Sequence, residues 1–212
     1  MEANARPERY VDLWVAGDPE IIKRLHTLGF SACAVVGGLE GLKELRTKGS
    51  ETGMRIVGKI VHEARSRSDV LNRIRERPRN ALVSIAPMTR EALMVAVRDE
   101  RVDTVIVHGD IAEIDMHVIQ VLQNPLELTL QTMLKSLKDM KAMRKIAGIC
   151  RTSIVKELPL IISSGAQNAT GLRKPRQLAY LTSALAGVKA PHLEAVSEMP
   201  YTILVRRGLI DG

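Results

Sequence analysis

The sequence predicts an α/β barrel of the TIM type, (β/α)8 in form but compact and lacking a final helix. Two patterns point there. Short apolar, β-branched runs recur at residues 10–15, 31–36, 55–61, 81–86, 104–108, 126–130, 160–163 and 201–205. Helix-favouring stretches fill the intervals at 19–28, 40–48, 68–77, 89–101, 114–122, 132–149 and 176–186. Strands alternating with helices form a mostly parallel sheet, and eight of them suffice to close it into a barrel. A doubly wound open sheet is the alternative. At 212 residues the chain reads as one domain, short for such a barrel, and it stops just past the eighth run.

Each element carries local signals. The first strand, 10–15, ends before Asp18-Pro19, which opens a helix with an oxygen acceptor and a residue that has no N–H to satisfy. Gly29 stops that helix, and Gly37-Gly38 turns the chain after the second strand. Ser68-Asp69 is a second helix start. Pro87 closes the fourth strand and Pro125 precedes the sixth. In the long stretch 132–149, Met133, Leu137, Met140 and Met143 mostly share one side and read as core, while Lys138, Lys141 and Lys145 share another. The seventh strand ends in Ser163-Ser164-Gly165-Ala166, a loop follows, and a helix opens at Pro175 and stops at Gly187.

Composition narrows the function. With 45% apolar residues the chain is globular. A net charge of +7 and pI near 9.6 suit a polyanionic partner. Aromatics are only 2%, so Trp14, Phe30, Tyr10, Tyr180 and Tyr201 cannot build a stacking platform for single-stranded nucleic acid. Recognition of backbone and shape by Arg and Lys remains. Cys33 and Cys150 form no CxxC pair, which excludes a structural zinc site by count and suggests a reducing compartment. No signal peptide and no membrane-length apolar run is evident, so a cytoplasmic location is expected.

The positive charge falls in four groups. Arg65, Arg67, Arg73, Arg75, Arg77 and Arg79 surround the third helix, partly offset by Glu63, Asp69 and Glu76. Lys135, Lys138, Lys141 and Lys145 lie along 132–149, Arg173, Lys174 and Arg176 follow the seventh strand, and Arg206-Arg207 follow the eighth. The third group sits at a strand's C-terminal end beside a helix start, next to the hydroxyls of Ser163 and Ser164, an arrangement that suits phosphate oxygens.

An active site is harder to find. Asp12, His62-Glu63 and His108-Gly109-Asp110 fall at or near strand ends, where barrel enzymes place their reacting groups. Such a set could hold a hydrolytic metal, which keeps a phosphoesterase built on His62, His108 and Asp110 open. Against it, the first strand reads Asp12-Leu13-Trp14 and lacks a His-x-His pair, and no helix carries paired ligands at i and i+4. His26, His117 and His192 have no obvious partners, and no glycine-rich phosphate loop or nucleophile elbow occurs.

The run from Leu158 to Ala166, then Arg173-x-Pro175-Arg176-x-Leu178, Ala186-Gly187 and Glu194-Ala-Val-Ser197, resembles ribonuclease P protein component 3, the archaeal counterpart of the thirty-kilodalton eukaryotic subunit. Residues 66–70, Val102-Asp103-Thr104-Val105, Ile114-Asp115 and Leu126-Glu127-Leu128 are similar to the family as well. The likeness is sharpest between Leu126 and Ser197, and Gly165 departs from the Ser or Ala usual in the family. The resemblance implies a barrel akin to the polymerase-and-histidinol-phosphatase metallohydrolases, without their metal ligands. It also implies a role inside the enzyme that removes the 5′ leader of precursor tRNA, where the RNA subunit and its Mg²⁺ ions do the chemistry. This chain then has no catalytic residue and no cofactor or metal of its own. Its partners are RNase P RNA, protein component 2 and, indirectly, precursor tRNA, with no membrane. The RNA contacts expected on this reading are Arg173, Lys174, Arg176, Ser163 and Ser164, with Lys138, Lys141, Lys145, Arg206 and Arg207 behind them. The hydroxyls of Ser163 and Ser164 could instead hold the loop. A pure protein scaffold that barely touches RNA is the other alternative.

Overall fold

A computed structural model describes residues 9–37, 41–111 and 113–211. Seven parallel strands follow one another in sequence order around a nearly closed barrel: β1 Tyr10–Val15, β2 Phe30–Val36, β3 Arg55–Ala64, β4 Ala81–Pro87, β5 Thr104–Val107, β6 Leu126–Thr129 and β7 Leu160–Ser163. Between them run α1 Pro19–Thr27, α2 Leu42–Thr52, α3 Arg67–Arg75, α4 Arg90–Ala96, α5 Met116–Gln120, α6 Leu130–Ser136 and α7 Met140–Val155. After β7 come α8 Pro175–Ala186 and α9 Glu198–Arg206. The expected helix start at Glu40 and the turn residue Gly38 lie outside the described residues.

Helix starts follow capping chemistry. Asp18 accepts the Glu20 N–H in front of Pro19. The third helix is capped by Ser66, whose hydroxyl accepts the Asp69 N–H, so the start lies before the predicted Ser68-Asp69. Thr89, Asp115, Thr129 and Asp139 cap α4, α5, α6 and α7 in the same way.

The barrel closes without a regular ladder. Gly165 donates to the Trp14 carbonyl at 3.0 Å and Ala16 to the Ala166 carbonyl at 2.9 Å. Beside these bonds the Asp12 carboxylate accepts the Ser164 N–H at 3.1 Å and the Trp14 N–H at 3.1 Å. Asp12 therefore serves the seam between β1 and β7. Gly165 fits there for two reasons. Its φ is +67°, and a Cβ would lie 3.0 Å from the Thr129 side chain.

The predicted eighth strand is a helix. Tyr201-Thr-Ile-Leu-Val205 has β-favouring composition, but Pro200 sits in the first turn of α9, and Ile203 and Leu204 are buried. They pack with Val11, Leu13, Ala32, Ala34, Val57, Leu82 and Ile161 inside the barrel. The alanines of β2 leave room for the large side chains opposite. The barrel thus has seven strands plus a helical plug. The stretch 132–149 is likewise two helices, α6 and α7, broken at Leu137-Lys138-Asp139. There the Ser136 hydroxyl bonds back to the Met133 carbonyl and Asp139 caps the next helix. Met133 is buried, but Leu137 and Met140 are 60% and 66% exposed, so the expected core stripe is only partly core.

Helices and barrel share the larger core, including Ile21, Leu25, Ile74, Leu93, Ile146 and Leu178. Among the described residues no helix is long and apolar enough to cross a membrane.

Candidate nucleic-acid interface

Parallel strands deliver their connecting loops and the starts of their following helices to one face of the barrel. At that face, cations precede or open the helices. Arg65 and Arg67 flank the cap of α3, Arg90 opens α4, and Arg173, Lys174 and Arg176 surround the start of α8. All six side chains are exposed. The loops carrying them are tied down locally. The Thr89 hydroxyl donates to the Arg65 carbonyl at 2.7 Å, and the Arg67 N–H donates to Glu91 at 3.1 Å. Arg173 donates from Nη1 to the carbonyls of Thr170 and Leu172 at 2.8 and 2.7 Å. Arg90 pairs with Asp115 at 2.7 Å in a half-exposed ion pair, which a phosphate could replace at little loss. The exposed Arg73 lies near His62, whose imidazole is held below its ordinary range by partial burial and then by the Arg73 charge.

The other residues expected to touch RNA are placed differently. Ser163 is fully buried and donates to Glu127 inside the barrel at 2.9 Å. Ser164 is fully buried, donates to the Trp14 carbonyl and accepts the Ala166 N–H. Both therefore hold the barrel and its loop rather than face solvent. Lys145 is half-buried and donates to the Ile111 carbonyl at 2.8 Å. Arg207 is turned inward by the helical form of α9. It donates to the carbonyls of Pro78 and Ala81 at 2.9 and 2.8 Å, and its Nε lies 3.2 Å from buried Asp103. Arg77 pairs with the same carboxylate, so two arginines and one aspartate clamp α9 under β4 and β5. Lys138, Lys141 and Arg206 are exposed, although Lys138 lies in the break rather than on one stripe with Lys141 and Lys145.

The candidate metal ligands do not converge. His108 is bonded through Nε2 to the Pro87 carbonyl at 2.9 Å, Asp110 is exposed, and Asp12 is sealed in the β1–β7 seam. Among the described residues no group of three or more His, Cys, Asp and Glu is placed to hold a metal ion.

The inside of the barrel carries a polar centre that the sequence did not disclose. Lys59 and Glu127 are fully buried, and the ammonium donates to both carboxylate oxygens and to the Leu13 carbonyl at 2.9 Å. The Thr104 and Ser163 hydroxyls also donate to Glu127, and Ser84 bonds Thr104. The Trp14 ring lies 5.0 Å from Nζ. Burial pulls the Lys59 ammonium below its ordinary range, and the Glu127 carboxylate opposes that pull.

The family model described as RNase P subunit p30 matches residues 9–210. The fold is shared with a chain in the cryo-EM structure of archaeal Ribonuclease P with mature tRNA, at a TM-score of 0.75 and 14% identity, over 93% of this chain and 90% of that one. The crystal structure of A. niger ochratoxinase is a more distant likeness, at a TM-score of 0.57 and 9% identity, over 89% of this chain and 69% of that one. At such identities the structural likenesses speak for the fold. No curated protein matches the sequence.

Proposed function

The chain belongs to the RNase P subunit p30 family, and on that premise we propose that it supports the RNA of ribonuclease P by presenting cations from one face of its barrel. The subunit serves tRNA processing, the removal of the 5′ leader from precursor tRNA. The cleavage chemistry belongs to the RNA and its Mg²⁺ ions, and this chain contributes no catalytic group or cofactor. It works beside protein component 2, in the cytoplasm.

The observation that carries the reading is the row of exposed cations at the starts of α3, α4 and α8: Arg65, Arg67, Arg90, Arg173, Lys174 and Arg176. Folded RNA crowds phosphates together, and Arg forks beside them offset the repulsion and release counterions. The barrel interior supports the same reading. A small-molecule substrate would need space there, and Lys59, Glu127, Thr104 and Ser163 fill it.

The test is the salt dependence of binding to RNase P RNA. Replacing Arg65, Arg67, Arg173 and Arg176 with Ala is expected to flatten the slope of log K against log salt by about 0.7–0.9 for each phosphate contact removed. An unchanged slope in a folded variant would remove these residues from the interface.

A further inference from the structure

The chain has one Trp, one Phe and three Tyr, and all but one of these rings are engaged in the fold. Phe30 is buried in the core and Tyr10 packs against it. The Trp14 ring lies 5.0 Å from the buried Lys59 ammonium. Tyr201 sits under the Arg9 guanidinium and donates its hydroxyl to the Asp211 carbonyl at 3.0 Å. Tyr180, by contrast, is 54% exposed on the solvent side of α8.

Its place matters more than its exposure, because single exposed apolar groups are ordinary. The helix starts at the cationic face, where Arg173, Lys174 and Arg176 surround Pro175. Tyr180 follows Arg176 by one helical turn, so the two side chains are neighbours on one face. At 1.5 Å per residue its Cα lies only about 8 Å along the axis from the helix start. Helical side chains lean towards the N-terminus, so the ring covers the turn that carries Arg176 and Gln177. Gln177 accepts the Lys174 N–H at 3.0 Å, which ties the loop to the helix. A flat apolar ring thus stands beside three cations on a braced helix end.

Phosphates match the cations but offer nothing to the ring. An unpaired nucleotide offers both at once, a base with a π-face and a phosphate on either side. One ring is no platform for a single strand, but it stacks one base. We propose that Tyr180 stacks on one unpaired base of RNase P RNA, next to phosphates held by Arg173, Lys174 and Arg176. This rests on the ribonuclease P reading and adds to it a contact with a base, which charge alone does not give.

The experiment measures binding of the full-length chain to RNase P RNA over a salt series, with protein component 2 present throughout. Tyr180→Ala is expected to weaken binding about 5- to 100-fold, the range of one lost base stack. The slope of log K against log salt is expected to stay as in the wild type, because stacking releases no counterions. Tyr180→Phe is expected to bind like the wild type, and Tyr180→Leu, which keeps apolar bulk without a π-face, to bind like Tyr180→Ala. Folding is checked by thermal melting, and Tyr180→Leu carries the test if the Ala variant melts early. Undiminished binding by both the Ala and Leu variants overturns the proposal. So does full binding by Tyr180→Leu alone, which would make the contact merely apolar. A loss accompanied by a flatter salt slope also overturns it, since the ring would then only position Arg176. A loss seen with precursor tRNA but not with RNase P RNA gives the base to the substrate and overturns it too. A wild type that does not bind RNase P RNA at all overturns the ribonuclease P reading as well.

Discussion

Lys59 and Glu127 face each other across the inside of the barrel as a fully buried ion pair, with the ammonium bonded to both carboxylate oxygens. The pair holds β3 to β6, and through Thr104 and Ser163 it reaches β5 and β7. Its role is structural, and it makes the interior a packed centre rather than a pocket.

Removing one partner leaves the other charged and buried. Lys59→Met is therefore expected to cost about 3–5 kcal/mol in urea unfolding at neutral pH. The double variant Lys59→Met, Glu127→Leu is expected to regain part of that loss, not all of it, because the Thr104 and Ser163 hydroxyls lose their acceptor. A neutral single variant would show that the pair does not hold the barrel together.

Asp12 gives the seam a pH dependence. Burial, opposed by hydrogen bonds from Ser164 and Trp14, raises its carboxyl from 3.8 to about 6. Between those values the folded state keeps a proton that the unfolded chain releases, so stability falls as pH rises through the window. Asp12→Asn lacks this titration. Relative to it, the wild type is expected to lose on the order of 3 kcal/mol between about pH 4 and pH 6, measured by denaturant melts at each pH. A constant difference between the two proteins would contradict the buried carboxyl.

Two adjacent arginines behave differently. Arg207 donates to two backbone carbonyls and sits beside buried Asp103, whereas Arg206 is exposed. Arg207→Ala is expected to lower stability by about 2–3 kcal/mol, the scale of losing charge-assisted hydrogen bonds, and Arg206→Ala to leave the melting temperature unchanged. Equal effects would mean that α9 is not clamped as described.

Much of this architecture was legible beforehand, because a parallel barrel writes its strands as β-branched runs and its helix starts as capping residues. Residues 160–163 and 10–15 matched their strands at both ends. The misreading at 201–205 shows where that signal fails. Tyr, Thr, Ile and Val favour strands, yet the partner that decides is the open bottom of the barrel, which a helix fills by placing Ile203 and Leu204 side by side. The helix break at 137–139 was hidden because Asp and Ser caps inside a periodic pattern read as ordinary surface residues. The cationic face was half legible. Arg173, Lys174 and Arg176 are exposed at a helix start as expected, and Arg65 and Arg67 belonged to a noted cluster whose place on the same face only the strand order reveals. Arg90 went unnoticed because it is isolated in sequence, although its position just after a Thr cap was the available signal. Lys59 and Glu127 were invisible for another reason. A charged residue within a strand reads as its solvent side, and their mutual pairing lies 68 positions apart.

The most direct test of the central claim is cleavage of precursor tRNA by reconstituted archaeal RNase P RNA and protein component 2 at low Mg²⁺, with and without this chain. The account predicts cleavage at the 5′ leader junction that requires the chain, and that is lost when Arg65, Arg67, Arg173 and Arg176 are replaced together in a folded variant. Cleavage that proceeds equally well without the folded chain would contradict it.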